Sequence, residues 1–180
     1  AAPPKGKMTP PPPEAVAALR TFVFLHAIKQ GTTTIIDVGG QRGDWEGYVR
    51  LVDELGVRVY GSPPFRDRNT FCVAQGRLYY DHDANLGMQG LKDAVAFIRS
   101  YDGAAGGRLR GMLNPTQVET CSEPLLRACK EAARELDVPV HTHAGGNLIE
   151  FQRIMDEYRK TPIQFLADVG FLDDRALIGH

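Results

Sequence analysis

The sequence predicts an α/β protein in which helices cover a parallel β-sheet. Short apolar segments rich in β-branched residues alternate with segments whose apolar residues recur at helical spacing. Such alternation is typical of an open doubly wound sheet or of a (β/α) barrel. In both folds the functional site lies at the carboxyl ends of the strands, so polar residues at those positions are the first candidates for a site.

The composition is that of an ordinary globular domain. Of the 180 residues, 43% are hydrophobic and 24% are charged, and a net charge of −1 gives no electrostatic reason to expect nucleic acid or an anionic membrane as a partner. No apolar run is long enough to cross a bilayer, and the amino end lacks a signal-peptide pattern. The cysteines are odd in number and have no Cys-x-x-Cys spacing, which favours a reducing, cytoplasmic compartment over a disulfide framework.

The chain divides into an arm and a folded region. Residues 1–13 are rich in proline, which cannot join the interior of a helix or sheet, and we expect an extended arm there. In the folded region, residues 14–180, Gly39-Gly40 predicts a turn, and Asp44 and Ser122 are candidate helix caps. The predicted elements are helix 14–30, strand 32–38, helix 45–55, strand 57–60, helix 91–101, strand 108–113, helix 122–136, strand 138–143, helix 148–158, a short helix from residue 161 and strand 176–179.

A polar stretch, residues 66–87, separates the second predicted strand from the next helix. Loops of this length inside a compact domain are usually functional or mobile, so we predict an irregular segment here. His82 lies within it between Asp81 and Asp83. We interpret this group as a solvated charged segment rather than a metal site.

Two histidines mark the end of the fourth predicted strand. His141 and His143 are two residues apart, so both side chains lie on the same side of the strand. Paired imidazoles at the carboxyl end of a strand suit metal binding or proton transfer. An isolated His-x-His is as often one core histidine and one surface histidine, so the motif alone leaves both interpretations open.

A third histidine favours the metal interpretation. His180 directly follows the fifth predicted strand, as His143 ends the fourth. Adjacent parallel strands lie about 4.8 Å apart, so the two side chains can converge on one ion. The sequence therefore predicts that His143 and His180 lie side by side at the end of the sheet.

Four segments carry a resemblance to a known family. They are residues 26–38, 114–122 (followed by Leu125 and Leu126), 140–143 and 177–180. In order and spacing they resemble the second-strand entry, fourth-strand exit, fifth strand and sixth strand of the amidohydrolase superfamily, in particular its cytosine deaminase, chlorohydrolase and guanine deaminase group. The resemblance covers most of residues 14–180.

The resemblance implies a (β/α)8 TIM barrel, a divalent metal (zinc first, iron as the alternative) and a metal-bound hydroxide that attacks an sp2 carbon in a ring or amide C–N or C–Cl bond. It implies that His143 is a metal ligand. His180 would be a second ligand or the catalytic residue that helps to deprotonate the attacking water, and His141 would steer the site through hydrogen bonds. By strand position alone, the side chains expected near a small-molecule substrate are Phe65, Asn114, Thr116, Gln117 and Asn147, although each also suits a capping or packing role.

The sequence departs from the family pattern in three places. The family has a proton-transferring Glu three residues after the fifth-strand His, where this chain has Gly146. Glu150, one helical turn further on, is a substitute whose orientation the sequence leaves open. The first-strand His-x-His and the eighth-strand Asp have no counterpart here, and a complete barrel needs roughly 250 residues. We therefore expect a partial barrel of about strands two to six, which alone binds metal weakly and is inactive.

Two other interpretations stay open. Residues 35–43 resemble the glycine-rich loop of nucleotide-dependent methyltransferases, but the next strand ends in Tyr60-Gly61-Ser62, without the acidic residue that such proteins use for ribose. A non-catalytic barrel or partner subunit with a vestigial site is favoured by Gly146 and by the missing ligands. The sequence leaves the substrate and the presence of a homo-oligomer undetermined.

Overall fold

The computed structural model describes residues 12–38, 43–73 and 77–180. Most of the predicted arm and the predicted Gly39-Gly40 turn lie outside these ranges. In chain order the elements are α1 (Pro13–Lys29), β1 (Thr34–Asp37), α2 (Trp45–Leu55), β2 (Arg58–Gly61), β3 (Arg68–Val73), β4 (Arg77–His82), α3 (Ala84–Tyr101), α4 (Ala104–Gly107), β5 (Leu109–Gly111), a 3₁₀ turn (Val118–Thr120), α5 (Glu123–Leu136), β6 (Val140–His143), α6 (Leu148–Tyr158), α7 (Pro162–Asp168) and β7 (Ala176–Gly179).

Five strands run parallel and follow one another in chain order. β1, β2 and β5 form one sheet, and β6 pairs with β7. The segment after β5 joins the two sheets, because the Leu113 N–H donates to the Pro139 carbonyl at 3.0 Å and the His141 N–H donates to the Leu113 carbonyl at 2.9 Å. The predicted parallel sheet is therefore confirmed, and the carboxyl ends of its strands lie along one edge.

Residues 68–73 and 77–82 pair as antiparallel strands, called the β3–β4 hairpin below, so the irregular loop predicted over residues 66–87 is wrong. β3 pairs with β4 from Arg68 opposite His82 to Val73 opposite Arg77. Aromatic and β-branched residues favour strands, but in this stretch they are interspersed with Asp, Arg and Asn, so the strand pattern was not recognised. The next helix, α3, also begins before the predicted start at residue 91, because the Asp83 carboxylate accepts the Leu86 N–H at 3.0 Å and caps it.

Asp67 ties the hairpin to helix α5. Its buried carboxylate accepts the Ser122 N–H at 2.8 Å and the Ser122 hydroxyl, and its carbonyl accepts the Asp83 N–H at 2.7 Å. Ser122 therefore stands at the predicted N-cap position of α5, but its hydroxyl is bound to Asp67 and does not cap the helix. The His82 ring is half-exposed and lies 3.3 Å from the Asp67 carboxylate.

Arg68 ties the hairpin to helix α6. Its side chain is 9% exposed, and its guanidinium donates to the two Glu157 carboxylate oxygens at 2.7 and 2.9 Å. Burial alone would raise the pKa of Glu157, but the hydrogen bonds from Arg68 and Tyr158 and the charges of Arg68 and Arg153 outweigh it, so this pKa lies below its usual value. The ion pair joins two elements that are far apart in sequence.

Helix α1 packs through one aromatic residue. Phe24 is buried and meets the fully buried Tyr48 ring edge-on, with centroids 6.2 Å apart. The opposite faces of α1 are exposed in the described structure, with Leu19, Phe22, Val23 and Leu25 among the exposed apolar side chains. Cys129 in α5 is a free thiol that is fully buried in the core. Among the helices in the described ranges, none is long and apolar enough to cross a membrane.

We predict that Glu157→Gln destabilises the full-length protein most at neutral pH. A carboxylate whose pKa is lowered by folding contributes stability above its unfolded pKa, near 4.5, and loses that contribution as the pH falls through the lower folded value. The variant should lose about 1–2 kcal/mol at neutral pH and little in acid. Thermal unfolding across the acid-to-neutral range measures this, with Glu54→Gln on the exposed face of α2 as control. An equal loss at both ends of the range contradicts the assignment.

Candidate active site

Strand pairing places His143 beside His180. β6 and β7 are parallel, with His143 opposite Gly179, and His180 follows directly. The ring centroids of His143 and His180 are 5.8 Å apart, and those of His141 and His143 are 5.0 Å apart. The prediction that His143 and His180 lie side by side at the end of the sheet is confirmed, and His141 is the third imidazole of the group.

Asn114 fixes the orientation of His141. The Asn114 amide N–H donates to the Val38 carbonyl at 2.7 Å, so its Oδ1 faces His141 Nδ1 at 3.3 Å. Nδ1 therefore carries the proton and Nε2 keeps its lone pair. Burial and the neighbouring His143 lower the pKa of His141 to about 4, so the ring is neutral at physiological pH. Gly179 leaves room for it, since a Cβ atom there would lie 2.6 Å from His141 Nε2.

His180 occupies the space beside Gly146. A Cβ atom at residue 146 would lie 1.6 Å from His180 Nε2, so any side chain there displaces the ring. The observed position of His180 therefore requires glycine at residue 146. The glycine that replaces the family's Glu at residue 146 is therefore the residue that leaves space for the His180 ring.

Glu150 closes the turn between β6 and α6. Its carboxylate is fully buried and accepts the N–H groups of Gly145 at 2.5 Å and Gly146 at 3.3 Å. Asn147 caps α6 by accepting the Glu150 N–H at 2.9 Å. Both oxygens of Glu150 are thus engaged by backbone donors, which gives the side chain a structural task in this turn.

Glu119 is a second buried carboxylate near this turn. One of its oxygens has no hydrogen-bond partner among the described residues. Burial raises the pKa of Glu119, and the charge of Glu150 raises it further, while His180 opposes the rise. Glu119 therefore lies close enough to His180 to be influenced by its charge, although the Glu119 side chain is not among the described residues that line the cleft.

A cleft of about 470 Å³ opens along the carboxyl ends of the strands. Each of the five parallel strands contributes a side chain at or just after its end. The lining residues are Val38 after β1, Arg66 after β2, Thr116 and Gln117 after β5, His143 in β6 and His180 after β7. This is the edge at which parallel α/β sheets carry their sites.

The structure separates the five residues expected near a substrate. Thr116 and Gln117 line the cleft. Phe65 is buried in the core, Asn114 is buried against His141, and Asn147 is exposed as the cap of α6. Successive residues leaving a strand point to opposite sides, so position after a strand cannot by itself tell lining residues from packing residues.

Two lining residues were not predicted from the sequence, the apolar Val38 and the charged Arg66. Arg66 follows Phe65, and the two side chains point in different directions, with Phe65 in the core and Arg66 in the cleft. The predicted loop began at Arg66, which concealed its place at the exit of β2. Neighbouring residues of an extended segment point to opposite sides, so an inward-facing Phe65 would have predicted that Arg66 faces the cleft.

The histidines are suitable ligands for zinc, but they supply only part of a complete zinc site in the described residues. Neutral imidazole nitrogen is a usual zinc ligand, and structural and catalytic zinc sites use three or four protein ligands. Within the described ranges, no group of three or more His, Cys, Asp and Glu side chains is arranged to hold a metal ion. His143 and His180 therefore present two suitable donors, and the set is incomplete in this part of the chain.

We predict that Glu150→Gln loosens the turn between β6 and α6. The amide retains one acceptor oxygen, so one of the two bonds to Gly145 and Gly146 is lost. Hydrogen exchange of the backbone at residues 144–148 in the full-length protein should accelerate on the order of tenfold. Glu135→Gln, in α5, is the control, and unchanged exchange in Glu150→Gln would show that the carboxylate does not hold the turn.

Comparison with known proteins places these features in a family. The profile of the Amidohydrolase family matches residues 9–180. A 5-methylthioadenosine/S-adenosylhomocysteine deaminase of Halothermothrix orenii is 30% identical over 168 residues, which is 93% of this chain and 35% of the relative. A deaminase of the same name from Halobacterium salinarum is 37% identical over 157 residues, which is 87% of this chain and 33% of the relative.

Solved structures share the fold. A mutant of atrazine chlorohydrolase TrzN from Arthrobacter aurescens TC1, complexed with zinc and atraton, superposes with a TM-score of 0.74 at 21% identity, covering 94% of this chain and 38% of that one. Guanine deaminase from C. acetobutylicum gives a TM-score of 0.69 at 17% identity, covering 93% and 38%.

The predicted partial (β/α) barrel is thus confirmed, and the chain spans about a third of the length of the curated relatives it matches. The family profile covers nearly all of the residues in which the strand order and the histidines were found. The chain belongs to the amidohydrolase family.

Proposed function

We propose that the full-length protein is a metal-dependent hydrolase that replaces an amino group on an sp2 ring carbon by oxygen. The observation that carries this proposal is the pairing of His143 and His180, with ring centroids 5.8 Å apart, at the end of a parallel sheet in an amidohydrolase chain. The relatives at 30–37% identity are deaminases, which favours a C–N bond over a C–Cl bond. The family also disfavours the methyltransferase alternative.

His143 would hold the metal ion, which we propose is zinc. A zinc ion supplies Lewis-acid activation of water at neutral pH. His141 supports this arrangement because burial and the neighbouring His143 lower its pKa and keep the ring neutral, while Asn114 fixes its orientation, so no cationic neighbour competes with an ion. His180, on the adjacent strand, is placed to accept a proton from an attacking water or to serve as a second ligand.

Thr116 and Gln117 would orient the substrate. The Thr120 hydroxyl donates to the Gln117 carbonyl at 3.0 Å, so the Thr116 hydroxyl donates to Thr120 at 2.9 Å and keeps its lone pairs for a ligand. Gln117 offers an amide donor and an amide acceptor. Together they suit the polar edge of a heteroaromatic ring held near the histidines.

A non-catalytic barrel is the second candidate, and one observation favours it. The described lining residues of the cleft include no carboxylate that could move a proton, and Glu150 is engaged by Gly145 and Gly146. If the site is vestigial, the protein releases no product from any ring amine. The assay below separates the two candidates.

We also propose a small-molecule substrate and a reducing, cytoplasmic compartment. Cys121 and Cys129 are free and buried, which supports a protein that does not depend on disulfides.

We predict that the full-length protein releases ammonia from at least one of 5′-methylthioadenosine, S-adenosylhomocysteine, 5′-deoxyadenosine and guanine. His180→Asn should lower kcat by about 10²–10⁴-fold, because it removes the proton acceptor beside the reacting carbon. Ammonia release measures both. His26→Asn is the matched control, since His26 lies on exposed α1 and contacts Gln30 and Phe22.

Absence of ammonia from all four compounds would favour the non-catalytic candidate. Full activity of His180→Asn would remove His180 from the reaction while leaving the hydrolase proposal standing.

A further inference from the structure

We propose that Arg66 makes the cleft a receptor for an anionic substituent, so that the substrate is a heteroaromatic amine carrying a carboxylate or phosphate. The inference rests on the proposed function in one respect: it assigns a ligand class to the same cleft. It stands on the position of Arg66, on the absence of a partner for its charge, and on the chemistry of the surrounding lining.

Arg66 lies in the cleft without an anionic partner. Its side chain is half-buried and lines the same cavity as His143 and His180. In the part of the chain that the structure describes, its guanidinium takes part in no hydrogen bond and no ion pair. Residues 1–11, 39–42 and 74–76, which lie outside the described ranges, contain no Asp or Glu in the sequence. Within residues 12–38, 43–73 and 77–180, no carboxylate side chain is therefore paired with Arg66.

This sets Arg66 apart from several other arginines in the described ranges, of which Arg20 lies over the Tyr48 ring and others contact carboxylates. Those that contact a carboxylate include Arg68, Arg108, Arg110, Arg127 and Arg175. An arginine charge that is partly removed from water normally has such a partner, because an unpaired buried charge is unfavourable. The Arg66 side chain faces the cleft, so a ligand bound in the cleft would supply the anionic partner that the described residues do not.

The rest of the lining keeps the cleft free of competing negative charge. The other described lining residues are Val38, Thr116, Gln117, His143 and His180, none of which is acidic. An anionic ligand therefore meets attraction from Arg66 and no carboxylate repulsion from the described lining residues. The planar guanidinium matches the two oxygens of a carboxylate or phosphate with parallel N–H donors, a strong and directional interaction.

The positions of Arg66 and of the histidines also predict the orientation of the substrate in the cleft. The histidines lie at the end of β6 and after β7, whereas Arg66 follows β2, and Thr116 and Gln117 after β5 lie between them in strand order. A ring whose amino carbon faces the histidines would thus direct its anionic group toward β2. A volume of about 470 Å³ is within the range of clefts that hold drug-sized ligands.

The test uses pairs of ligands that differ only in charge. Three carboxylates and their primary carboxamides, built on adenosine, guanine and an aminotriazine, are titrated into the full-length protein by calorimetry, and ammonia is measured in the same samples. Adenosine 5′-monophosphate is added as the phosphate arm. The variants are Arg66→Met, Arg66→Lys and, as matched control, Arg50→Met, whose side chain is exposed on α2.

The proposal expects at least one carboxylate to bind the unaltered protein tenfold or more tightly than its carboxamide. Arg66→Met should bring that ratio close to one, Arg66→Lys should retain part of it, and Arg50→Met should leave it unchanged. A stronger phosphate than carboxylate response identifies a phosphate ester as the anionic group.

Equal binding of both members of every pair, no binding of any anionic member, or a preference that survives in Arg66→Met overturns the proposal. The proposed hydrolase function fails separately: Arg66-dependent binding without ammonia supports the anion site and contradicts the reaction. Ammonia release without an Arg66-dependent preference does the opposite.

Discussion

The parallel pairing of β6 with β7 is the constraint on which the site depends. It sets His143 opposite Gly179 and brings His180 to the same end of the sheet. Two glycines then make room for the rings, Gly179 beneath His141 and Gly146 beside His180. A register shift of one residue would turn His141 and His143 to the opposite face of the sheet and separate them from His180.

Four consecutive residues hold the other wall of the cleft. Phe65 enters the core, Arg66 faces the cleft, Asp67 binds Ser122, and Arg68 binds Glu157. The backbone of Phe65 also bonds to the segment after β5, with the Thr116 N–H donating to the Phe65 carbonyl at 3.0 Å. The backbone that carries the Arg66 guanidinium is thus fixed on both sides of this residue.

Sequence reasoning reached the sheet and the histidines but only part of the lining. Alternation of apolar strands with amphipathic helices is a local pattern, and His-x-His at a strand end follows from a period of two, so both could be predicted. The β3–β4 hairpin was missed because Asp, Arg and Asn residues are interspersed among its strand-forming residues. Phe65 and Asn114 were expected in the cleft and lie in the interior, while Arg66 was not expected and lies in the cleft. Which of two neighbours turns inward depends on contacts between distant segments, such as that of Asn114 with Val38.

The most direct test of the account is the location of zinc in the full-length protein. Crystals measured at the zinc absorption edge should show an anomalous peak about 2.0–2.1 Å from a ring nitrogen of His143. Bound zinc per chain should fall sharply in His143→Ala and remain unchanged in His26→Ala. A peak remote from His143, or equal zinc content in both variants, would contradict the central claim.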